Sequence, residues 1–145
     1  MWRELVLEVF GDAVCGEPAS ANALADVAEA LGQPLPLDLE SLLAECDGVR
    51  GPTALDVVWS AERIARDNLA FRSTPDFRSL YMPFEPVMFF GDNGAGDHFA
   101  FVRQPERDEV FVWDHETDSR YLVTYSLRDY LIRALEAQGD WYRND

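Results

Sequence analysis

The chain contains no lysine. All 12 of its cationic side chains are arginine, set against 27 aspartates and glutamates, for a formal net charge of −15 over 145 residues. A field of that sign repels nucleic acid and anionic membrane surfaces and favours the approach of basic partners. Cysteine is scarce. Cys15 and Cys46 are the only two; one disulfide is possible, and two free thiols in a reducing compartment is the simpler reading. Histidine is limited to His98 and His115. No apolar run approaches the roughly 20 residues that a membrane-spanning helix needs. The opening MWRELVLEVFGD carries acids where an export signal needs a basic end and an apolar stretch. A cytoplasmic protein is expected. There is no internal repeat and no low-complexity tract.

What is present is a core. Apolar residues make up 48% of the chain and aromatics 12%, too rich a mixture for disorder, and the length suits one domain over 1–145. The charge is uneven. Residues 1–49 hold ten acids and a single arginine, a net of −9, and the remaining 96 residues carry −6. The imbalance therefore leans towards the N-terminal third. It serves solubility as directly as it serves association.

Helical spacing dominates the first half. A short first helix is followed by a loop from Gly11 to Ala21. Leu24, Val27, Ala28 and Leu31 then fall at i, i+3, i+4 and i+7, and Leu39, Leu42, Leu43 and Cys46 repeat the pattern. Gly32 closes the first of these helices, Pro36 with Asp38 opens the second, and Asp47-Gly48 ends it. Cys46 thus lies on a buried stripe, as a quiet thiol. Leu55–Trp59 is rich in strand formers. Ser60 caps a helix running to about Phe71. Asn68 shares that helix's apolar face with Ala61, Ile64 and Ala65, so it must be hydrogen-bonded, as a structural strut.

The second half reads as strands. Val87–Phe90 is a continuous apolar run. A turn follows over Gly91–Gly96, rich in residues that tolerate positive φ. Phe99 and Phe101 alternate with His98, Ala100 and Val102, which puts His98 on the less apolar face. Val110–Trp113 is a further strand, and Tyr121, Val123 and Tyr125 mark another. Ser126 and Asp129 cap a last helix, whose buried stripe is Leu127, Tyr130, Leu131, Ala134 and Leu135. The fold class is α+β, a mostly antiparallel central sheet with N-terminal helices and a C-terminal helix packed around it.

Few residues combine into recognisable chemistry. Asp92, Asp97, His98, Asp114 and His115 lie near two turns, but GDNGAGD puts glycine where an EF-hand needs oxygen ligands, and no zinc-type pair is present. There is no nucleophile elbow, and a Gly-rich turn bearing Asp92 and Asp97 repels phosphate. No catalytic residue, metal or cofactor is expected. Residues 108–118 hold five acids and no arginine. They make a candidate negative epitope of Asp108, Glu109, Asp114, His115, Glu116 and Asp118, with Asp92 and Asp97 nearby.

Five segments in this order resemble a known family. Leu35-Pro36 followed by an apolar helix ending at Asp47-Gly48 resembles the LP…NG opening of the SUKH superfamily, the Smi/Knr type of domain. Ile64…Asn68, FFGDNGAGDHFAF, VFVWDHETDSR and SLRDYLIRAL follow, and the likeness spans about residues 22–135. Asp47 stands where the family often shows asparagine. The resemblance implies a sheet of about six strands, with Pro36, Gly48, Asn68, Gly91, Gly96 and Trp113 as structural signature positions. It also implies function by protein binding. Many bacterial members look like immunity proteins that neutralise toxins, often nucleases or deaminases; fungal members resemble regulators of cell-wall synthesis. The leading expectation is an immunity protein gripping a basic toxin domain. The alternatives are an intracellular regulator or scaffold without a toxin, and an enzyme or metal protein built on Asp92, Asp97, His98 and His115. The oligomeric state is left open.

Overall fold

Serine, proline and glycine punctuate the helical half as their chemistry demands. In the computed structural model, which describes residues 1–136, 141 and 142, α1 spans Trp2–Val9, α2 Ala21–Leu31 and α3 Leu37–Glu45. Ser20 Oγ accepts from the Ala23 amide at 3.0 Å, and Gly32 closes α2 in the left-handed region at φ 65°. Such a side-chain cap contributes about 1 kcal/mol. The buried residues of α2 and α3 are Leu24, Val27 and Leu31, and Leu39, Leu42 and Leu43, with Cys46 fully buried just beyond. Pro36, itself buried, precedes the first residue of α3.

Two antiparallel sheets follow, where the resemblance implies one sheet of about six strands. The first has three short strands in the order β1 (Val14–Cys15), β2 (Val49–Arg50) and β3 (Asp56–Val58). The helix α4 (Ala61–Ser73) and the short α5 (Pro75–Leu80) come next. The second sheet runs β4 (Val87–Asp92), β5 (His98–Arg103), β6 (Glu106–Asp114) and β7 (Ser119–Thr124), in sequence order, before α6 (Leu127–Glu136).

The sheets meet at β3 and β4 without merging, for a visible reason. The Val57 carbonyl accepts from the Tyr130 hydroxyl at 2.6 Å. A bulge between Phe89 and Gly91 shifts the register of β4, and one backbone bond joins the two sheets here, from the Trp59 amide to the Phe90 carbonyl at 2.7 Å. Gly91 lies so close that a Cβ there would stand 2.3 Å from the Val57 oxygen. The rest of the β4 edge is closed by side chains of α4. Asn68 Nδ2 donates to the Phe89 carbonyl at 2.8 Å, its Oδ1 accepts from the Phe89 amide at 2.7 Å, and Arg72 donates to the Val87 carbonyl at 2.9 Å. Side chains spaced i, i+4 on one helix thus stand in for a strand.

Both faces of the larger sheet are covered. Phe90 and Phe99 pack on Tyr130 of α6, with ring centroids 5.0 and 4.9 Å apart. All five residues of the α6 stripe are buried. On the opposite face, Phe89, His98 and Trp113 meet rings from α4, α5 and the segment after it. Phe71 lies 4.9 Å from Phe89 and 5.0 Å from His98, and Tyr81 lies 5.1 Å from Trp113. His98 therefore does not sit on a less apolar face. Alternation on the strand suggested one, but α4 and α5 bring aromatic rings onto it. Tyr125, expected to continue β7, lies beyond its end and is exposed.

Candidate functional site

The candidate residues gather where the β4–β5 turn meets the β6–β7 turn. Asp92 ends β4, and three donors reach its carboxylate: Trp59 Nε1 at 2.8 Å, Arg63 Nη2 at 3.1 Å and the Gly94 amide at 2.7 Å. Asn93 Oδ1 accepts from the amides of Ala95 and Asp97 at 2.8 and 3.1 Å, so the turn is held by side chains that mimic backbone acceptors. Asp97 is fully buried. Its Oδ1 accepts from the His115 amide at 3.1 Å and lies 2.6 Å from His115 Nδ1, and its Oδ2 accepts from the Tyr142 hydroxyl at 2.5 Å. The His115 ring lies on Gly96, where φ is 110° and a Cβ would come within 2.9 Å of three ring atoms. No other residue type fits there without strain.

Oxygen and nitrogen donors of Asp97, Asp114 and His115 all lie within 4.8 Å of one another, the spacing of a cation site. Two carboxylates and an imidazole are donors that zinc accepts. The same atoms already have local partners: Asp97 serves His115 and Tyr142, and Asp114 Oδ1 caps the Glu116 amide at 3.0 Å. These bonds explain the arrangement as a clasp between two turns. The other two residues of the enzyme or metal reading stand apart from it. Asp92 turns to Trp59 and Arg63. His98 Nδ1 lies 2.8 Å from the Gly96 carbonyl and therefore carries the proton. Burial among the rings holds the His98 pKa below the ordinary histidine value, which favours the neutral imidazole.

The five acids of 108–118 do not form one patch. Asp108 and Glu109 lie near the start of β6 and Asp114 at its end, about 20 Å apart at the rise of an extended strand. Glu109 is occupied by Arg107 at 2.6 Å. Asp118 accepts from Trp113 Nε1 at 2.8 Å and the Met82 amide at 2.9 Å. Asp108 and Glu116 are exposed, whereas Asp97 faces inward and cannot meet a partner directly. Adjacency in sequence suggested a patch that the extended strand pulls apart.

Other polar contacts brace the fold, and apart from the burial of Cys46 the sequence pattern did not show them. Glu45 Oε1 accepts from the amides of Trp2 and Arg3 at 2.9 and 3.2 Å, capping α1 from a distant helix. Burial pushes its carboxyl up, but these bonds and the terminal ammonium outweigh it, and the pKa falls below the usual glutamate value. Asp47 Oδ1 accepts from the Ala61 amide at 2.7 Å and caps α4. Arg63 lies over the Trp59 ring at 4.2 Å and reaches Asp56, Asp67 and Asp92 at 3.1, 3.0 and 3.1 Å. The Cys46 thiol is pushed up to about 12 by burial and by the neighbouring Cys15 thiol, so it is a poor nucleophile. The partners of Glu45 and Asp47 are 14 to 43 residues away, and no local motif announces them.

The signature positions likewise sit inside the scaffold. Asn68 spans α4 and β4, Gly91 and Gly96 allow close approaches, Gly48 has φ 102°, and Trp113 is buried with its indole N–H on Asp118. No helix among the described residues is long and apolar enough to cross a membrane. No curated protein matches the chain. A family model does match, over residues 18–133, which is most of the chain and contains every element from α2 to β7. The chain therefore belongs to the SMI1 / KNR4 family (SUKH-1).

Proposed function

We propose that this protein is a non-catalytic binding domain, an immunity protein of the bacterial type, that neutralises a basic toxin domain by direct contact in the cytoplasm. One observation carries the reading: several arginines spend their charge on internal carbonyls and carboxylates, and among the described residues 15 acids are exposed against six arginines. Arg3 donates to the carbonyls of Gly16 and Glu45, Arg72 to those of Leu31 and Val87, and Arg120 to those of Pro83 and Met82. Arg63 is surrounded by three aspartates. Of the 27 acids, many are exposed, and the surface presents the negative excess of the whole chain. Such a surface complements the lysines and arginines that line a nucleic-acid site, and covering that site excludes the substrate. Family membership supports a binding role, since many bacterial relatives resemble toxin-neutralising proteins.

The test is to purify the product of the gene beside this one and measure its activity with and without this protein across a salt series. Inhibition that weakens as salt rises is expected. A neighbouring product that is not bound even at low salt overturns the immunity reading and leaves the regulator or scaffold alternative.

A further inference from the structure

Between α2 and α3 runs an open groove of about 480 Å³. Its walls are Ala21, Ala25 and Ala28 on α2 and Leu37, Ser41 and Ala44 on α3. On α2 these residues fall at i, i+4 and i+7, and on α3 at i, i+4 and i+7 again, so each helix presents a second stripe beside its buried one. The α2 stripe is alanine, which leaves room for another backbone to come close. Leu37 is 82% exposed, an apolar side chain at the groove's end that the fold itself does not use. A solvent-facing apolar hollow rimmed by polar residues is how interaction surfaces present themselves.

The charge around this groove has one sign. From Glu17 to Asp47 there are seven acids and no arginine. Glu40 lines the groove, Glu29 stands one helical turn from Ala25, and Asp26 and Asp38 flank them; all four are exposed. None of the four makes an ion pair among the described residues. A second copy of this chain would bring acids against acids at a net charge of −15 each. Charge complementarity selects instead a segment that is apolar on one side and basic on the other.

We propose that the α2–α3 groove is the docking surface for a basic amphipathic helix of a partner protein, its apolar face laid against the alanine walls and Leu37 and its Lys or Arg residues paired with Glu29, Glu40, Asp26 and Asp38. This rests on the binding reading above and names the surface within it.

The probe is a synthetic helical peptide of about 14 residues, with leucine along one face and Lys and Arg on the other. It is titrated into the ¹⁵N-labelled full chain at low salt and again at physiological salt. Amide shifts confined to residues 19–44 are expected. Ala28→Arg and Glu116→Gln change the net charge by the same single unit. The first is expected to weaken binding by at least about tenfold and the second to leave it nearly unchanged, with circular dichroism and thermal melts confirming that both variants fold. Shifts spread over the surface, shifts centred on 108–118, equal weakening by the two variants, or no binding at low salt each overturn the proposal. So does equal binding of a peptide with the same leucines and an acidic face. A dimer in sedimentation that Ala28→Arg dissolves would assign the groove to a second copy and overturn the proposed occupant. The two readings fail separately. If the neighbouring toxin is bound but the peptide never reaches the groove, the groove is wrong; if the peptide docks there and no neighbouring product binds, the immunity reading is wrong.

Discussion

Replacing Asn68 with alanine should be among the most damaging single changes available to this fold. The side chain is 1% exposed and makes three hydrogen bonds, to the Ile64 carbonyl and to both backbone groups of Phe89, all between 2.7 and 2.8 Å. The two Phe89 groups have no strand beside them, because β4 is the edge of its sheet and Asn68 takes the partner's place. Truncation leaves both without a partner in a region closed to water. Each orphaned buried group costs about 1–3 kcal/mol, so the loss is about 2–6 kcal/mol before any cavity cost. Domains of this kind have total stabilities of about 5–15 kcal/mol. Urea unfolding followed by tryptophan fluorescence checks it, with a drop in midpoint of about 2 M for a typical slope. Asn68→Asp is the sharper companion. It keeps the shape and the acceptor for the Phe89 amide but turns a carboxylate oxygen towards two carbonyls. Burial raises the pKa of that new acid, so the variant's deficit should shrink as pH falls and the acid takes up a proton. A loss below about 1 kcal/mol for Asn68→Ala would show that water or a backbone shift satisfies Phe89 and would refute the strut.

Gly91→Ala should destabilise by about 1–3 kcal/mol or more, since the new methyl meets the Val57 carbonyl at 2.3 Å and the Tyr130 hydroxyl at 2.8 Å; a thermal melt within a degree of the parent would contradict the close approach. Asp97→Asn should lower stability by about 1–3 kcal/mol by weakening the bonds to His115 and Tyr142, and an unchanged urea midpoint would count against the clasp. In ¹H–¹³C spectra, His98 should titrate below the ordinary histidine value. Its folded pKa is depressed, so its contribution is intact above the unfolded value of about 6.5 and is lost as pH falls towards the folded one; a midpoint at or above that value would show that the ring is hydrated. Glu45 has the same sign lower down. Its pKa is lowered by folding, so its stabilisation is present above about pH 4.5 and is lost on further acidification, and Glu45→Gln should flatten that part of the stability profile.

Where a residue's role follows from its own element, the sequence made it readable. The α6 stripe, the Ser60 cap and the burial of Cys46 all follow from spacing along one helix. Asn68 was readable for the same reason, because a polar residue on an apolar face has to be satisfied. Roles that depend on partners distant in the chain were hidden. The division into two sheets turns on Tyr130 reaching Val57, 73 residues away. The two-residue strands β1 and β2 are too short to show a period, and α5 has only six residues. The charge cluster at 108–118 is divided for a geometric reason. A strand spreads its residues along about 3.3 Å each, so acids that look crowded in the sequence stand at opposite ends of β6. On helices the reverse holds, and the acids of α2 and α3 gather around a groove that no sequence run displays.

The missing lysines bear on this arrangement. Arg72 reaches the Leu31 carbonyl, the Gln33 side chain and the Val87 carbonyl from one guanidinium, and so ties the end of α2 to the first residue of β4. Arg120 grips two successive carbonyls while lying 4.9 Å over the Phe84 ring. A lysine ammonium is a point donor on a flexible stem, strongly hydrated, and cannot span such a set from one planar group. Burial lowers the pKa of Arg72 and Arg120, and arginine tolerates this because its starting value lies so far above neutrality. Using arginine as a multi-acceptor strut therefore has two effects. It fixes elements that are distant in the chain, and it ties the charge of Arg72 and Arg120 to backbone carbonyls. The acids left outside, above all those on α2 and α3, then act without local compensation. In this chain the bracing of the interior and the negative surface of α2 and α3 both follow from where the arginines fall, since none lies between Glu17 and Asp47.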